Sequence, residues 1–180
     1  MDTGHLRYVV AEHRRLFPDG LFTRLGPRFL TTYTRTYLTS PHATALVAEG
    51  ADGAPLGYLV GVLDPALHRR HLLRWEGGRL VVRGAAALAV RPGLGVHFVR
   101  TRLGRYYRKL ESARSTARDK QLVPPVGRVA FLSHVAVSEN ARSRGVAAAL
   151  IERFNQFAGL AGCTRVSLVT AAGPDGVGAY

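Results

Sequence analysis

Cysteine is nearly absent from this sequence, since Cys163 is the only one among 180 residues. A disulfide within the chain is therefore excluded, and nothing near Cys163 has the spacing of metal ligands, so we expect no metal. Long apolar runs are missing too: the longest, Leu80 to Val99, is interrupted by Arg83, Arg91 and Pro92, and it predicts no membrane-spanning helix. The first residues lack the basic-then-apolar profile of a secretory signal, so we expect a cytoplasmic protein.

Acidic residues are scarce as well: 12 Asp and Glu stand against 25 Lys and Arg, a formal net charge of +13. Residues 65–120 alone contain 14 basic and 3 acidic residues, a net of +11. This concentration of charge is compatible with an arginine-rich solvated surface. It also fits a partner with negative charge, such as a phosphate-bearing ligand, an anionic lipid surface or an acidic substrate.

Apolar periodicity predicts two helices and a hairpin in the first third of the chain. Helical spacing over residues 6–16 stops at a Pro-Asp-Gly turn, and a second helix is expected to begin at Pro27 and to end before Pro41. The apolar runs 43–49 and 56–63 are joined by Gly-Ala-Asp-Gly, which is typical of a hairpin.

The middle of the chain predicts further helices. Three segments have helical patterns and are separated by Gly-Gly and Pro-Gly: 68–75, 80–90 and 98–110. Residues 112–126 are polar and basic and are interpreted as a linker or loop.

The last third predicts a strand, a basic turn, a helix and a second strand. The strands are expected at 129–137 and 165–170, and the helix at about 146–160. This order favours two parallel strands joined by a right-handed crossover.

The turn of this unit, residues 138–145, has the composition of an anion site. Amides at a helix N-terminus lack intrahelical partners, and the helix dipole adds roughly half a positive charge there. Arg142 and Arg144 add two guanidinium groups, and Gly145 has no Cβ to keep a phosphate from the backbone. Taken alone, the pattern is equally typical of a capped surface helix.

The segment Arg142–Ala147, RSRGVA, resembles the Arg/Gln-x-x-Gly-x-Gly/Ala signature of the GNAT acyltransferase superfamily, and it has the same setting between a strand and a long helix. The resemblance implies an α+β fold, a three-layer α/β arrangement in which helices flank a mixed sheet, as a single domain over residues 1–180. Residues 65–126 would form a basic, largely helical insertion, and residues 129–180 the acyl-CoA-binding β–α–β unit. The family's first and last strands have no evident counterpart, which implies a chain truncated at its ends.

The resemblance also implies an activity: transfer of the acetyl group of acetyl-CoA to a primary amine of a small molecule by direct attack. The strand edge at Val135, Ala136 and Val137 would pair with the pantetheine amides. The pyrophosphate would lie against the loop formed by Arg142, Ser143, Arg144, Gly145, Val146 and Ala147. A non-catalytic acyl-CoA-binding or membrane-associated module is the alternative function.

His134 is the first candidate for a general base. It lies in the strand that leads to the turn, and an imidazole titrates near neutrality. Alternation along the strand places it on the face opposite Ser133 and Val135. The alternative is a histidine that packs and forms hydrogen bonds without a catalytic role.

Two further residues are candidates for proton transfer. Glu49, at the end of the first hairpin strand, is a second candidate base or else a solvated residue before a turn. Tyr180 is the general acid that the resemblance implies, or the aromatic residue that precedes it, or a terminal residue without a role. Glu139 is interpreted as a turn or capping residue.

The basic insertion leads to the hypotheses about partners. Arg69, Arg70, Arg74 and Trp75 combine cations with an aromatic ring, as residues 105–109 do, which suits an anionic or phosphate-bearing amine acceptor. The same segment fits an anionic membrane surface, or it is a solvated helical cap. No recognised nucleic-acid-binding module is present, so nucleic acid is not expected, and a homodimer is left open. On the membrane hypothesis the apolar side would consist of Leu72, Leu73, Leu80 and Val81.

Overall fold

A computed structural model describes residues 1–90 and 127–168. Helices precede a hairpin, a helical segment follows it, and a β–α–β unit comes last. The helices are α1 (Leu6–Leu16), α2 (Leu21–Arg24), α3 (Pro27–Thr39), α4 (Pro65–His71), α5 (Gly77–Ala89) and α6 (Val146–Leu160), with a π-helical turn at Leu72–Glu76 and a 3-10 turn at Glu139–Ala141. The strands are β1 (Ala43–Glu49), β2 (Pro55–Val62), β3 (Arg128–Val137) and β4 (Cys163–Leu168).

The four described strands form one mixed sheet in the order β1-β2-β3-β4. The hairpin β1–β2 and the pair β2–β3 are antiparallel, whereas β3 and β4 are parallel and are joined by α6. The predicted hairpin and the predicted parallel unit are both confirmed. The expected α+β fold, with helices flanking a mixed sheet, is confirmed as well.

The segment after the hairpin differs from its prediction in one respect. Gly77 and Gly78 were expected to separate two helices, but they lie in the first turn of α5, and helical structure continues from Pro65 to Ala89. Asp64 is the N-cap of α4: its side chain accepts hydrogen bonds from the amides of Ala66 and Leu67 at 3.1 and 3.0 Å. The predicted helix at 98–110 and the predicted linker at 112–126 lie outside the described residues.

Each face of the sheet carries its own core. On one side, which we call the α1/α3 face, the buried residues are Val9, Tyr37, Tyr58, Val60, Val62 and Ala136. The other side, the α6 face, packs Leu59, Ala130, Leu132, Leu150, Phe154 and Ala158.

The ring of Phe154 fixes the position of α6 on the sheet. It is fully buried and lies directly over Gly61, where an added Cβ would collide with it. A glycine in the middle of β2 is therefore required by this close approach.

None of the helices in the described ranges has the length and the hydropathy that a membrane span requires.

Candidate active site

The loop that follows β3 is anchored at its first residues. The amide of Ser138 donates to the carbonyl of Leu56 on β2 at 2.9 Å, and the amide of Ala141 donates to the carbonyl of Ser138 at 2.9 Å. Ala141 is 1% exposed, so its burial anchors this part of the loop to the rest of the domain. The remainder of the loop, residues 142–145, is exposed at the end of the sheet.

Two residues of the loop have a left-handed backbone, Ser143 with φ 57° and Gly145 with φ 79°. A Cβ added at Gly145 would meet no atom within 4 Å, so the space beside the backbone is open. Glycine adopts this conformation without strain, and it leaves the approach to the first turn of α6 unobstructed.

The N-terminus of α6 has no side-chain cap. The first intrahelical bond runs from the amide of Ala149 to the carbonyl of Gly145 at 3.0 Å, so the amides of Val146, Ala147 and Ala148 precede the hydrogen-bonded ladder. Arg142 and Arg144 are exposed beside them. Uncapped amides, a helix dipole and two guanidinium groups thus converge on one open loop, which is an arrangement that can bind an anion.

The last part of β3 leads to this loop. The described pairing with β4 runs from Arg128 to Leu132, where the described residues of β4 end, and residues 134–137 pair with β2. Val135, Ala136 and Val137 lie in this last part of β3.

A β-bulge interrupts the alternation of β3. Leu132 pairs with Gly61 and His134 pairs with Val60, so Ser133 has no partner in the ladder. Val135 packs with the α6 face, opposite His134 as expected, but Ser133 lies on the α1/α3 face, where it interacts with the hydroxyl of Tyr37 and lowers its pKa against the larger effect of burial. The prediction that Ser133 lies opposite His134 is therefore wrong, because the extra residue of a bulge shifts the alternation by one position.

His134 lies among aromatic rings on the α1/α3 face. Its ring centroid is 4.6 Å from that of His13, in an edge-on arrangement, and 5.6 Å from that of Phe17. Burial, with a smaller contribution from His13, lowers the pKa of His134 to about 4. The imidazole is therefore neutral at pH 7 and available to accept a proton.

His13 is the neighbour that the sequence analysis missed. Its Nδ1 is 3.1 Å from the hydroxyl of Tyr58, and both side chains are buried. Burial lowers the pKa of His13, so this ring too favours its neutral form. The signal in the sequence is a histidine at an apolar position of a predicted helix.

A second pair of hydroxyl groups continues the polar network from Ser133. The hydroxyl of Tyr37 lies 2.7 Å from that of Tyr33, and burial raises the pKa of both phenols. The bulge of β3 is thus surrounded by imidazole and phenol groups that are uncharged at neutral pH.

The other two proton-transfer candidates are not brought to this point by described contacts. Glu49 lies at the end of β1 with a half-exposed carboxylate, and its Oε1 is 2.6 Å from Nε2 of His5. Tyr180 lies outside the described residues. Glu139 lies in the turn as expected, but its carboxylate pairs with Arg15 of α1 at 2.5 Å and caps no helix.

Within residues 1–90 and 127–168, no group of three His, Cys, Asp or Glu side chains is arranged to hold a metal ion.

Comparison with known proteins finds a family that the last part of the chain is similar to. Residues 105–180 match the model of the acetyltransferase (GNAT) family. The matched range contains β3, the loop and α6, which are the elements on which the resemblance was based, so that interpretation is confirmed. No curated protein sequence matches the chain.

Solved structures share the GNAT fold at low sequence identity. The aminoglycoside N-acetyltransferase AAC(6')-Iy, solved with the bisubstrate analogue CoA-S-monomethyl-acetylneamine, matches 97% of this chain and 78% of its own, with 15% identity and a TM-score of 0.54. The same enzyme in complex with CoA matches with 16% identity and a TM-score of 0.54, over 95% of this chain and 74% of its own. A transcriptional regulator from Bacillus halodurans C-125 matches with 13% identity and a TM-score of 0.53, over 95% and 79%.

Proposed function

We propose that this domain is an N-acetyltransferase that transfers the acetyl group of acetyl-CoA to a primary amine of a small molecule. One observation carries the proposal: the open, left-handed Gly145 stands before an uncapped helix, with two exposed arginines beside it. Diphosphates bind at such positions because backbone amides and the helix dipole favour negative charge. AAC(6')-Iy, which shares the fold, has been solved with CoA.

The bound cofactor would extend from this loop along β3. Its pyrophosphate would contact the loop of Arg142–Ala147, and its pantetheine amides would pair with the strand at Val135, Ala136 and Val137. The direct connection of β3 to the loop supports this path, because Val137 ends the strand and the next residue, Ser138, is hydrogen-bonded to Leu56 of β2. Carbonyls and amides on the other side of the strand would be satisfied by the pantetheine arm.

In the proposed reaction, a neutral amine attacks the thioester carbonyl. The C–N bond forms, the C–S bond breaks, and the thiolate of CoA leaves with a proton from a general acid. His134 would accept the proton of the attacking ammonium, directly or through a water molecule. Its imidazole is neutral at pH 7 and has a lone pair free to accept a proton, although its lowered pKa makes it a weaker base than an ordinary histidine. Glu49 and Tyr180 stay predictions as second base and acid.

The acceptor is expected to carry few positive charges. The described carboxylates near the end of β3 are already paired: Glu139 and Glu12 with Arg15, and Glu49 and Asp2 with His5. With a formal net charge of +13 the chain would repel a polycation. We therefore propose an amine that bears a carboxylate or a phosphate, and we propose that the insertion at 65–126 contributes to its recognition.

Calorimetric titration with acetyl-CoA tests the binding step. Gly145→Glu should abolish binding, because the side chain would place a negative charge in the space reserved for the pyrophosphate. Gly162→Glu is a matched control: Gly162 follows the other end of α6, also has a positive φ, 75°, and also has open space around its Cβ. Absence of binding to the wild type at high micromolar concentration, or equal binding by wild type and Gly145→Glu, would refute the proposal.

Release of CoA with a panel of amines tests the catalytic step. Amino acids and amino sugar phosphates should support release better than aminoglycosides or polyamines. Binding of acetyl-CoA without release for any amine of the panel would point to the non-catalytic alternative.

Association with an anionic membrane surface is a second candidate function, favoured by the α4–α5 segment. Leu73, Trp75, Val81, Val82 and Val90 are 64% to 80% exposed, and exposed arginines lie between them. Leu80, which was expected on the same apolar side, is buried instead. Flotation with vesicles that contain phosphatidylserine should then depend on the anionic lipid and should decrease at high salt; flotation that is independent of lipid charge, or absent, would contradict it.

A further inference from the structure

One carboxylate lies in the turn immediately before the loop that we propose as the pyrophosphate site. Glu139 follows Ser138 directly, and its pKa is lowered first by Arg15 and then by the charge of Arg142. Glu139 is therefore ionised and close enough to Arg142 to interact with it. A pyrophosphate in the loop would be repelled by Glu139 and would compete with it for Arg142.

Arg15 of α1 is the counter-ion of this carboxylate, and it is shared with Glu12. Its Nη1 donates to Oε1 of Glu139 at 2.5 Å. Its Nη2 and Nε donate to Glu12, one turn earlier on α1, at 2.9 and 3.3 Å. The two carboxylates raise the pKa of Arg15 further, so the guanidinium stays charged. The two hydrogen bonds to Glu12 fix the orientation of the guanidinium, so that Nη1 points to Glu139.

The same face of α1 makes a second contact with the loop. The hydroxyl of Tyr8 lies 2.9 Å from Oγ of Ser138. Tyr8, Glu12 and Arg15 follow each other at helical spacing, so they share one side of α1. The first two residues of the loop are thus held by a hydrogen bond and an ion pair from a helix more than a hundred residues earlier in the sequence.

Exposure argues against a purely structural role for this ion pair. The side chains of Arg15 and Glu139 are 41% and 67% exposed. Exposed pairs contribute little to stability, because water and salt screen them and both side chains lose freedom. The charge of Arg15 still acts on an anion that binds next to Glu139.

We propose that Arg15 is a positioning residue for acyl-CoA, which partly offsets the negative charge of Glu139 beside the pyrophosphate loop. This inference rests on the proposed function. It predicts that the two partners of one ion pair have opposite effects on CoA affinity when each is neutralised.

The experiment measures CoA binding by calorimetry at about 20 mM salt for Arg15→Gln, Glu139→Gln and the double variant. Arg15→Gln should weaken binding about five- to tenfold, because Glu139 then faces the pyrophosphate uncompensated. Glu139→Gln should bind as tightly as wild type or up to about threefold more tightly, and the double variant should return to within about twofold of wild type. At about 200 mM salt the loss in Arg15→Gln should shrink.

Arg14→Gln is the matched control, since it removes the same charge from the adjacent, exposed position of α1. If the ion pair only held the loop in shape, Glu139→Gln would weaken binding as much as Arg15→Gln, the double variant would not recover, and salt would not alter the difference. Any of these results overturns the inference while leaving the proposed function intact. Failure of the wild type to bind CoA would refute the proposed function, and the inference with it.

Discussion

The two faces of the sheet differ in their chemistry. The α6 face is built from aliphatic side chains and the ring of Phe154, without a polar group among its fully buried members. The α1/α3 face combines apolar residues with His13, Tyr37, Tyr58 and His134, which contact one another or Ser133 through rings and hydroxyls. The comparison indicates that the α6 face stabilises the loop-bearing helix, and that the α1/α3 face holds the groups that we propose for proton transfer. Both faces share β3, so the proposed binding and proton-transfer groups lie on one strand.

The largest effect is expected on the α6 face. Phe154→Ala should reduce the free energy of unfolding by about 3–5 kcal/mol, because it removes a fully buried ring and leaves a cavity over Gly61. Urea denaturation followed by circular dichroism measures this loss. We expect the pH profile of CoA release by the remaining folded protein to be unchanged. A changed profile would indicate that the α6 face also takes part in proton transfer.

His134→Gln is expected to have its effect on catalysis rather than on cofactor binding. With an amine that supports CoA release, kcat should fall about 100-fold, because glutamine cannot take up the proton of the attacking amine. The Kd for acetyl-CoA should stay within about twofold, since His134 faces away from Val135 and the α6 face. An unchanged kcat would assign His134 to packing and would make the α1/α3 face a second structural face.

Acid should destabilise the domain through the α1/α3 face. His13, His68 and His134 all have a pKa lowered by burial, to about 4 for His68 and His134. Because the folded-state pKa lies below the ordinary value of 6.5, the unfolded chain takes up protons first as the pH falls from about 6.5 towards about 4, and stability is lost over that range.

The free energy of unfolding, measured with urea, should therefore be lower at about pH 5 than at about pH 7.5. We expect a loss of about 1–2 kcal/mol from each of His68 and His134. In His134→Phe the difference should be smaller by one such contribution. If the free energy of unfolding changed equally between the two pH values in wild type and in His134→Phe, the pKa of His134 would not be lowered in the folded protein.

The smallest effect is expected from loss of the hydrogen bond between Tyr58 and His13 on the α1/α3 face. Tyr58→Phe keeps the ring but removes the partner of His13 Nδ1, and it should destabilise the fold by about 1 kcal/mol. A larger fall in kcat than in stability would indicate that the Tyr58–His13 pair also orients His134. Thermal denaturation and CoA release, measured side by side, make this distinction.

Much of the framework was predictable from local patterns. Turn residues and apolar runs predicted the hairpin, and the strand–turn–helix order predicted the parallel pair β3–β4, because these elements depend on neighbours in the sequence. The π-helical turn at Leu72–Glu76 and the continuation of the helix through Gly77 were not predicted, since glycines after Trp75 read as a break. Glu76 is 5% exposed and lies near Arg35 of α3 and Arg79, contacts that anchor this segment to α3 and that no local pattern reveals.

The candidate site divides in the same way. The sequence by itself determined the proposed anion-binding loop, because Arg142, Arg144 and Gly145 would act through their own backbone and side chains next to a helix that their neighbours form. Only the tertiary structure decided what surrounds it: the bulge that turns Ser133 toward Tyr37, the histidine pair His13–His134, and the ion pair between Arg15 and Glu139. The physical reason is distance along the chain. Burial, pKa and charge compensation depend on residues that are brought together only when α1 and α3 pack on the sheet.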